Sequence, residues 1–380
     1  MDRTTRTQES TREDGKLYMA LELGWGKWKL AFTTEAGEKP RLRTLNARDL
    51  NTLWQEIEHS KQRFGLPSTA PVVSCYEAGR DGFWLHRCLS SKGVDNNVVD
   101  SSSIEVDRRA RRAKSDGVDV QQLLDLLVRS QQKGQKRPWS VARVPSPQEE
   151  DARQLSRELE ALKQERTRHS NRMRGLLASQ GIDLEVGPQF REQLEQSRLW
   201  DGSAVEPGLR SRLERELVRL ELLQEQIREL DQQRRALLKS SEEASVEQVR
   251  KLKLIKALGD NSAWLFVYEF FSWRKFRNRR EVAALAGLAP TPYQSGDSNH
   301  EQGISRAGNG RIRSMAIEIA WVWVRCQPRS QLTLWFKERF GSGGKRSRRI
   351  GIVALARRLL VALWRYLETG VIPEGAMLKA

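Results

Sequence analysis

A serine sits in a run of glycine, proline, asparagine and polar side chains, GLAPTPYQSGDSN, from Gly287 to Asn299. Ser295 is expected to be exposed on such a loop. A serine hydroxyl attacks a phosphate only if its proton is accepted and the developing charge is stabilised. Suitable cations follow at once in GISRAGNGRIRSM, from Gly303 to Met315: Arg306, Arg311 and Arg313. A guanidinium binds two phosphate oxygens with one planar fork. Gly296 leaves room for a phosphate to approach the backbone. No His–Asp pair flanks the serine in an obvious triad; Asp297 and His300 are near and read equally well as loop residues. On chemistry alone, Ser295 is either a nucleophile or a turn residue. Ser298 is the neighbour most easily mistaken for it.

Four carboxylates form the second group. Two-metal phosphodiester chemistry needs acids converging on ions roughly 3.5–4 Å apart. A site of oxygen donors without histidine suits Mg2+ or Mn2+. Glu22 ends one apolar strand pattern and Glu77 ends another, PVVSCYE. Asp116 and Asp119 stand three apart at the start of a helical pattern, so both can face one way. Strand ends converge at one edge of a sheet, which allows the four to meet. The plainer alternatives are an exposed strand end for Glu22 and a helix N-cap for Asp116. Arg108, Arg109, Arg111, Arg112 and Lys114 precede the acid pair and read as phosphate contacts or as a solvated face.

The elements that must position these groups follow from periodicity. Strands are predicted at 17–23, 28–34, 41–46 and 71–78, with a weak one near 97–100. Helices are predicted at 48–64, 82–92 and 118–131. Three strands, then helix, strand, helix, strand, helix is the order of an α/β RNase H-like fold over residues 17–145. Residues 1–16 read as a disordered polar arm without the apolar core of a signal peptide. Between 146 and 245, leucines near heptad spacing mark two helical arms, 148–180 and 208–239. They form a helical hairpin or coiled coil, either packed on itself or pairing with a second chain. From 246 to 380 the chain reads as a mainly α-helical, basic domain. Its helices lie near 246–258, 262–273, 279–286, 310–325, 331–339 and 350–369, with loops at 287–309 and 341–349. The second loop, GSGGKRSRR, carries Lys345 and Arg346 and has the wrong spacing for a nucleotide-binding P-loop. Trp321, Trp323, Trp335 and Trp364 lie on apolar faces and read as core rather than base-stacking platforms.

The 380 residues include 66 Lys and Arg against 49 Asp and Glu, a formal charge of +17. Residues 251–380 alone hold 23 basic against 9 acidic side chains. That balance calls for a polyanionic partner, because each neutralised phosphate releases condensed counterions. Cys75, Cys88 and Cys326 are scattered, and the four histidines show no metal spacing. Zinc sites and a disulfide framework are therefore not indicated, and a reducing cytoplasm fits. Met315–Val324 is too short for a membrane span and contains Glu318.

YEAGRDGFWLHRCL (76–89) and AKSDGVDVQQLL (113–124) resemble the E-A-T-G-x-x-x-x-x-L and K-T-D-x-x-D-A motifs of the family-110 insertion-sequence transposases. AALAGLAPTPYQSGDSN with GISRAGNGRIR (283–313) resembles their A-x-x-G-L-x-P-x-x-x-x-S-G and G-x-I-x-[KR]-x-G-N-x-x-[LI]-R, the more specific match. The resemblance covers most of the chain. It implies an N-terminal RuvC-like DEDD domain, a coiled-coil insert and a C-terminal serine domain. Glu77, Asp116 and Asp119 fill the last three acid positions and Ser295 that of the nucleophile. Glu22 stands where the family has Asp, Trp25 replaces a Lys, and Ser115 replaces a Thr. GDNSAWLF (259–266) is a poor copy of the family's G-I-G-x-x-x-A-x-x-L.

The resemblance implies a transposase that exchanges DNA strands between element ends and target through a phosphoserine link. It implies a homodimer or homotetramer in which one subunit's serine meets another's acids, and a structured non-coding guide RNA. Two other readings remain open: a metal-dependent RuvC-like junction nuclease, and a non-catalytic nucleic-acid-binding derivative, which the glutamate at position 22 motivates.

Overall fold

Alternating apolar residues make LYMALEL and KWKLAFT into β1 (Leu17–Leu23) and β2 (Lys27–Thr33), joined by a turn that needs a glycine. A Cβ on Gly24 would lie 2.5 Å from the Lys27 carbonyl oxygen. The computed structural model describes residues 15–79, 82–100, 103–104, 116–132, 138–295 and 298–379. The chain divides into two units, one ending at Pro145 and the other beginning at Ser146.

In the first unit β2 pairs antiparallel with β1 and with β3 (Arg41–Asn46). β1 pairs parallel with β4 (Val72–Glu77), and β4 with β5 (Asp95–Val99). The sheet order is β3-β2-β1-β4-β5. Leu17, Met19 and Leu21 point to one face, where Leu53 and Ile57 of α1 (Leu50–Arg63) and Leu85 and Leu89 of α2 (Trp84–Ser91) cover them. Ala20, Ala31, Val73 and Cys75 point to the other face, under Val120, Leu123, Leu124 and Leu127 of α3 (Asp116–Gln131). Small residues on that face let the helix lie close to the sheet. The weak strand expected near 97–100 is β5.

The second unit begins with a capping box. Ser146 Oγ accepts from the Glu149 amide and Glu149 Oε2 accepts from the Ser146 amide, with Pro147 in the first turn of α4 (Pro147–Ala178). α4 returns through α5 (Phe190–Gln196) to α6 (Pro207–Ser240). Leu159 packs with Ile227 and Leu230. Met173 and Leu177 pack with Leu209, Leu213, Leu217 and Leu220. The two arms are therefore antiparallel, and their heptad leucines are used within one chain. Ala152, Leu155, Leu237 and Leu238 lie against the helical core that follows. The region expected as a separate insert thus shares a unit with residues 246–380.

That core holds α7 (Ala244–Leu254), α8 (Asp260–Phe266), a π-helical turn (Val267–Phe271), α9 (Arg279–Leu285), α10 (Gly310–Cys326), α11 (Gln331–Phe340) and α12 (Lys345–Thr369). Of the tryptophans expected in the core, Trp323 is fully buried and Trp321 is 41% exposed. Among the described residues no helix is long and apolar enough to cross a membrane.

Two expected loops contain regular structure among their described residues. Residues 287–309 contain a hairpin, β6 (Pro290–Ser295) and β7 (Ser298–Ile304), formed by backbone pairing without apolar alternation. The stretch 341–349 is not one flexible loop: α12 begins at Lys345, so Lys345 and Arg346 open a helix. Gly351 lies against Phe340, where a Cβ would come within 2.5 Å of the ring, and this contact fixes the α11–α12 corner. The first-turn basic residues precede the apolar stripe, so their periodicity is invisible in the sequence.

Candidate active site

Parallel pairing brings two of the acids side by side. Leu21 is opposite Tyr76, so Glu22 and Glu77 follow at the ends of neighbouring strands. Alternation from Ala20 and from Cys75 turns both toward the face that α3 covers. Glu22 is half-buried and Glu77 is exposed. Lys29 lies directly across from Glu22 on β2. Asp119 is half-buried in the first turns of α3. It stands one turn before Leu123, whose carbonyl is 3.8 Å from Cys75 Sγ, and Cys75 is two residues before Glu77. Asp116 starts α3; its side chain lies outside the described residues, as do Arg108, Arg109, Arg111, Arg112 and Lys114. The structure thus brings Glu22 and Glu77 together and sets Asp119 on the helix over their face.

The donors on this face are oxygens. Burial, and then the nearby Glu77 charge, push the Cys75 thiol well above its ordinary range, so it is a neutral packing group. His86 belongs to the opposite face: its Nδ1 is 3.0 Å from Asn96 Nδ2, and Asn96 Oδ1 accepts from Ser74 Oγ at 2.7 Å. The carboxylate set therefore fits a hard divalent ion by donor chemistry. Among the described side chains, no three acids, histidines or cysteines already stand as a preformed metal cluster.

The His86 arrangement has a pH consequence. Burial, the largest cause, holds its pKa below the ordinary imidazole value. Its contribution to stability is complete above the unfolded pKa and is lost as pH falls through the lower folded value. The thermal midpoint is expected to fall on acidification between about pH 7 and 5 more steeply than in His86→Phe, as calorimetry would show.

Ser295 closes β6 and faces Ser298 across the hairpin; Gly296 and Asp297, with the side chains of 292–302, lie outside the described residues. The base of the hairpin is tightly built. Asn309 N–H donates to the Leu285 carbonyl at 2.8 Å, and Ser305 N–H to Ala289 at 2.9 Å. Gly287 and Gly308 have φ of 68° and 111°. A Cβ on Gly308 would come within 2.4 Å of the Leu285 carbonyl oxygen. Gly308→Ala is expected to cost about 2–3 kcal/mol in urea unfolding through strain and clash at this seam. Asn309, which reads as a turn residue, is the N-cap of α10, its Oδ1 accepting from the amides of Arg311 and Ile312.

The three arginines proposed to clamp a phosphate have different surroundings. Arg306 is exposed, with φ of 55°. Arg313 Nη1 donates to the Arg306 carbonyl at 2.9 Å, so it holds the hairpin base. Arg311 Nη1 lies 3.4 Å from Glu160 and 3.8 Å from Glu269. Glu269 is 1% exposed and takes both nitrogens of the Arg157 fork, Nε at 2.5 Å and Nη2 at 3.0 Å. This carboxylate ties α4 to the π-helical turn and to the helix after the hairpin. Its signal in the sequence is a lone acid in the apolar run WLFVYEFF.

The family model for transposases of the IS116/IS110/IS902 family matches residues 249–334, which include the π-helical turn, the hairpin and α10. Over 378 residues the chain is 41% identical to a putative transposase, y4rJ, of Sinorhizobium fredii, covering 96% of this chain and 95% of the relative. It is 25% identical over 261 residues to the transposase for insertion sequence element IS1328 of Yersinia enterocolitica, covering 68% of this chain and 73% of the relative. For the transposase of IS1111A of Coxiella burnetii the identity is 24% over 289 residues, 74% of each chain. The chain belongs to the IS116/IS110/IS902 family of insertion-sequence transposases.

Proposed function

We propose that this transposase cuts and rejoins DNA with Ser295 as nucleophile and a carboxylate site of Glu22, Glu77, Asp116 and Asp119. The observation that carries the reading is the β1–β4 register, which sets two acids side by side on the face under α3. The order β3-β2-β1-β4-β5, with helices on both faces, supports an RNase H-like, RuvC-like unit. Ser295 Oγ bonds to a DNA phosphorus and loses its proton. The phosphorus–oxygen bond to the adjoining sugar breaks, and that sugar oxygen takes up a proton. A sugar hydroxyl of the other strand then reverses the step and frees the serine. Mg2+ or Mn2+ held by the four acids would neutralise charge on the phosphate. The aspartate-to-glutamate change at position 22 keeps that charge and lengthens one ligand by a methylene.

The partners in this reading are element-end and target DNA, a structured non-coding guide RNA and further copies of the chain. The charge of +17 supports a polyanionic partner. Val218 and Leu222, one turn apart on α6 and 54% and 55% exposed, support association between copies.

The test incubates the protein, its co-expressed RNA and element-end DNA with and without Mg2+, followed by a denaturing gel and peptide mapping. An adduct on Ser295 that requires Mg2+ and Asp116 is expected. One observation favours a junction nuclease instead: Arg311 already pairs with Glu160 and Glu269, and Arg313 already donates to the Arg306 carbonyl. Cleavage without an adduct would select that reading. Binding with neither would select the non-catalytic one.

A further inference from the structure

A groove of about 1520 Å³ runs between α9, α12 and the C-terminal segment. Five arginines line it: Arg279 and Arg280 on α9, and Arg357, Arg358 and Arg365 on α12. Arg279, Arg280, Arg357 and Arg365 form no ion pair among the described residues. Arg358 lies over the Trp335 ring, its guanidinium carbon 4.0 Å from the centroid. Burial is the main cause that lowers its pKa, and the neighbouring charges of Arg339 and Arg357 add to it. Two carboxylates, Glu368 and Glu374, also line the groove, leaving cations in the majority.

Between these charges the lining is apolar. Ala283 and Ala284 from α9 and Val361 and Ala362 from α12 contribute to it. Val371 and Ile372 add exposed apolar surface, at 68% and 40%. A duplex presents phosphates and hides its bases, whereas a single strand offers phosphates and apolar base faces together. Ala289 and Pro290 line the same groove, and Pro290 begins the strand that ends in Ser295.

We infer that this groove binds a single strand of DNA, its phosphates on the five arginines and its sugars and bases on the apolar lining, and leads it toward the hairpin of Ser295. The choice of DNA rests on the serine reading; the strand-binding chemistry does not.

The test measures fluorescence anisotropy of an oligodeoxythymidine of about 20 nucleotides, using full-length Ser295→Ala protein so that no cleavage intervenes. Replacing Arg279, Arg280, Arg357 and Arg365 together by alanine is expected to weaken binding by roughly 30-fold at moderate salt and to lower the slope of log K against log salt by about 3. An unchanged slope overturns the inference. So does a loss confined to duplex DNA or to single-stranded RNA of matched length. A photo-crosslinker at Thr369, an exposed groove residue, provides a check that leaves the arginines intact. Crosslinking to the oligonucleotide, competed by unlabelled strand, supports the site, and retained affinity without crosslinking overturns it. Failure of Ser295 as nucleophile would leave both results standing.

Discussion

Ser295→Ala is expected to abolish the proposed covalent DNA–protein adduct and to lower strand exchange by on the order of 10⁴-fold or more, the scale of losing a nucleophile that no neighbour replaces. DNA binding, measured by anisotropy, is expected to stay within about 2-fold, because a hydroxyl adds little to a surface that binds through counterion release. Ser298→Ala is the matched control. Ser298 faces Ser295 across the hairpin in direct register, so it shares the local backbone environment. Full activity in Ser298→Ala with none in Ser295→Ala assigns the chemistry to one hydroxyl. Wild-type cleavage by Ser295→Ala would refute the nucleophile and leave the carboxylate site as a nuclease.

Glu269→Ala is expected to destabilise the second unit by about 3 kcal/mol, read from the urea midpoint at unchanged m-value. The carboxylate is 1% exposed and accepts two hydrogen bonds from one guanidinium. Its loss leaves Arg157 and Arg311 without their shared anion. The cost stays at the lower end for a broken buried pair because Arg157 is 37% exposed and can turn its charge to water. Glu269→Gln keeps the shape and should cost less. Equal midpoints for Glu269→Ala and wild type would show that the pair merely fills space.

The first unit was legible because each strand is a short apolar run ended by a turn. The sequence also pointed to Glu22 and Glu77 as strand ends, and their adjacency follows once β1 and β4 pair in parallel. Other features depend on partners distant along the chain. Arg311 and Arg313 read as phosphate ligands from local composition. Glu160 and Glu269, the acids beside Arg311, come from α4 and the π-helical turn, and no local pattern announces them. The hairpin was hidden because prolines, glycines and polar residues suppress the alternation that marks a strand. What holds its base is a set of backbone bonds and two glycines of positive φ. The groove arginines escaped notice because α9 and α12 are separated by 59 residues of chain, and only packing joins their charges into one channel.

The antiparallel arms carry a constraint of a different kind. Leu159 meets Ile227 and Leu230, while Met173 and Leu177 meet partners nearer the start of α6. A heptad added to one arm alone would slide every leucine beyond the insertion past its partner. The arm can therefore be lengthened or trimmed only by equal steps taken from both helices at once. Its reach is quantised: two matched heptads added together extend it by about 10 Å, and an unmatched change unzips it.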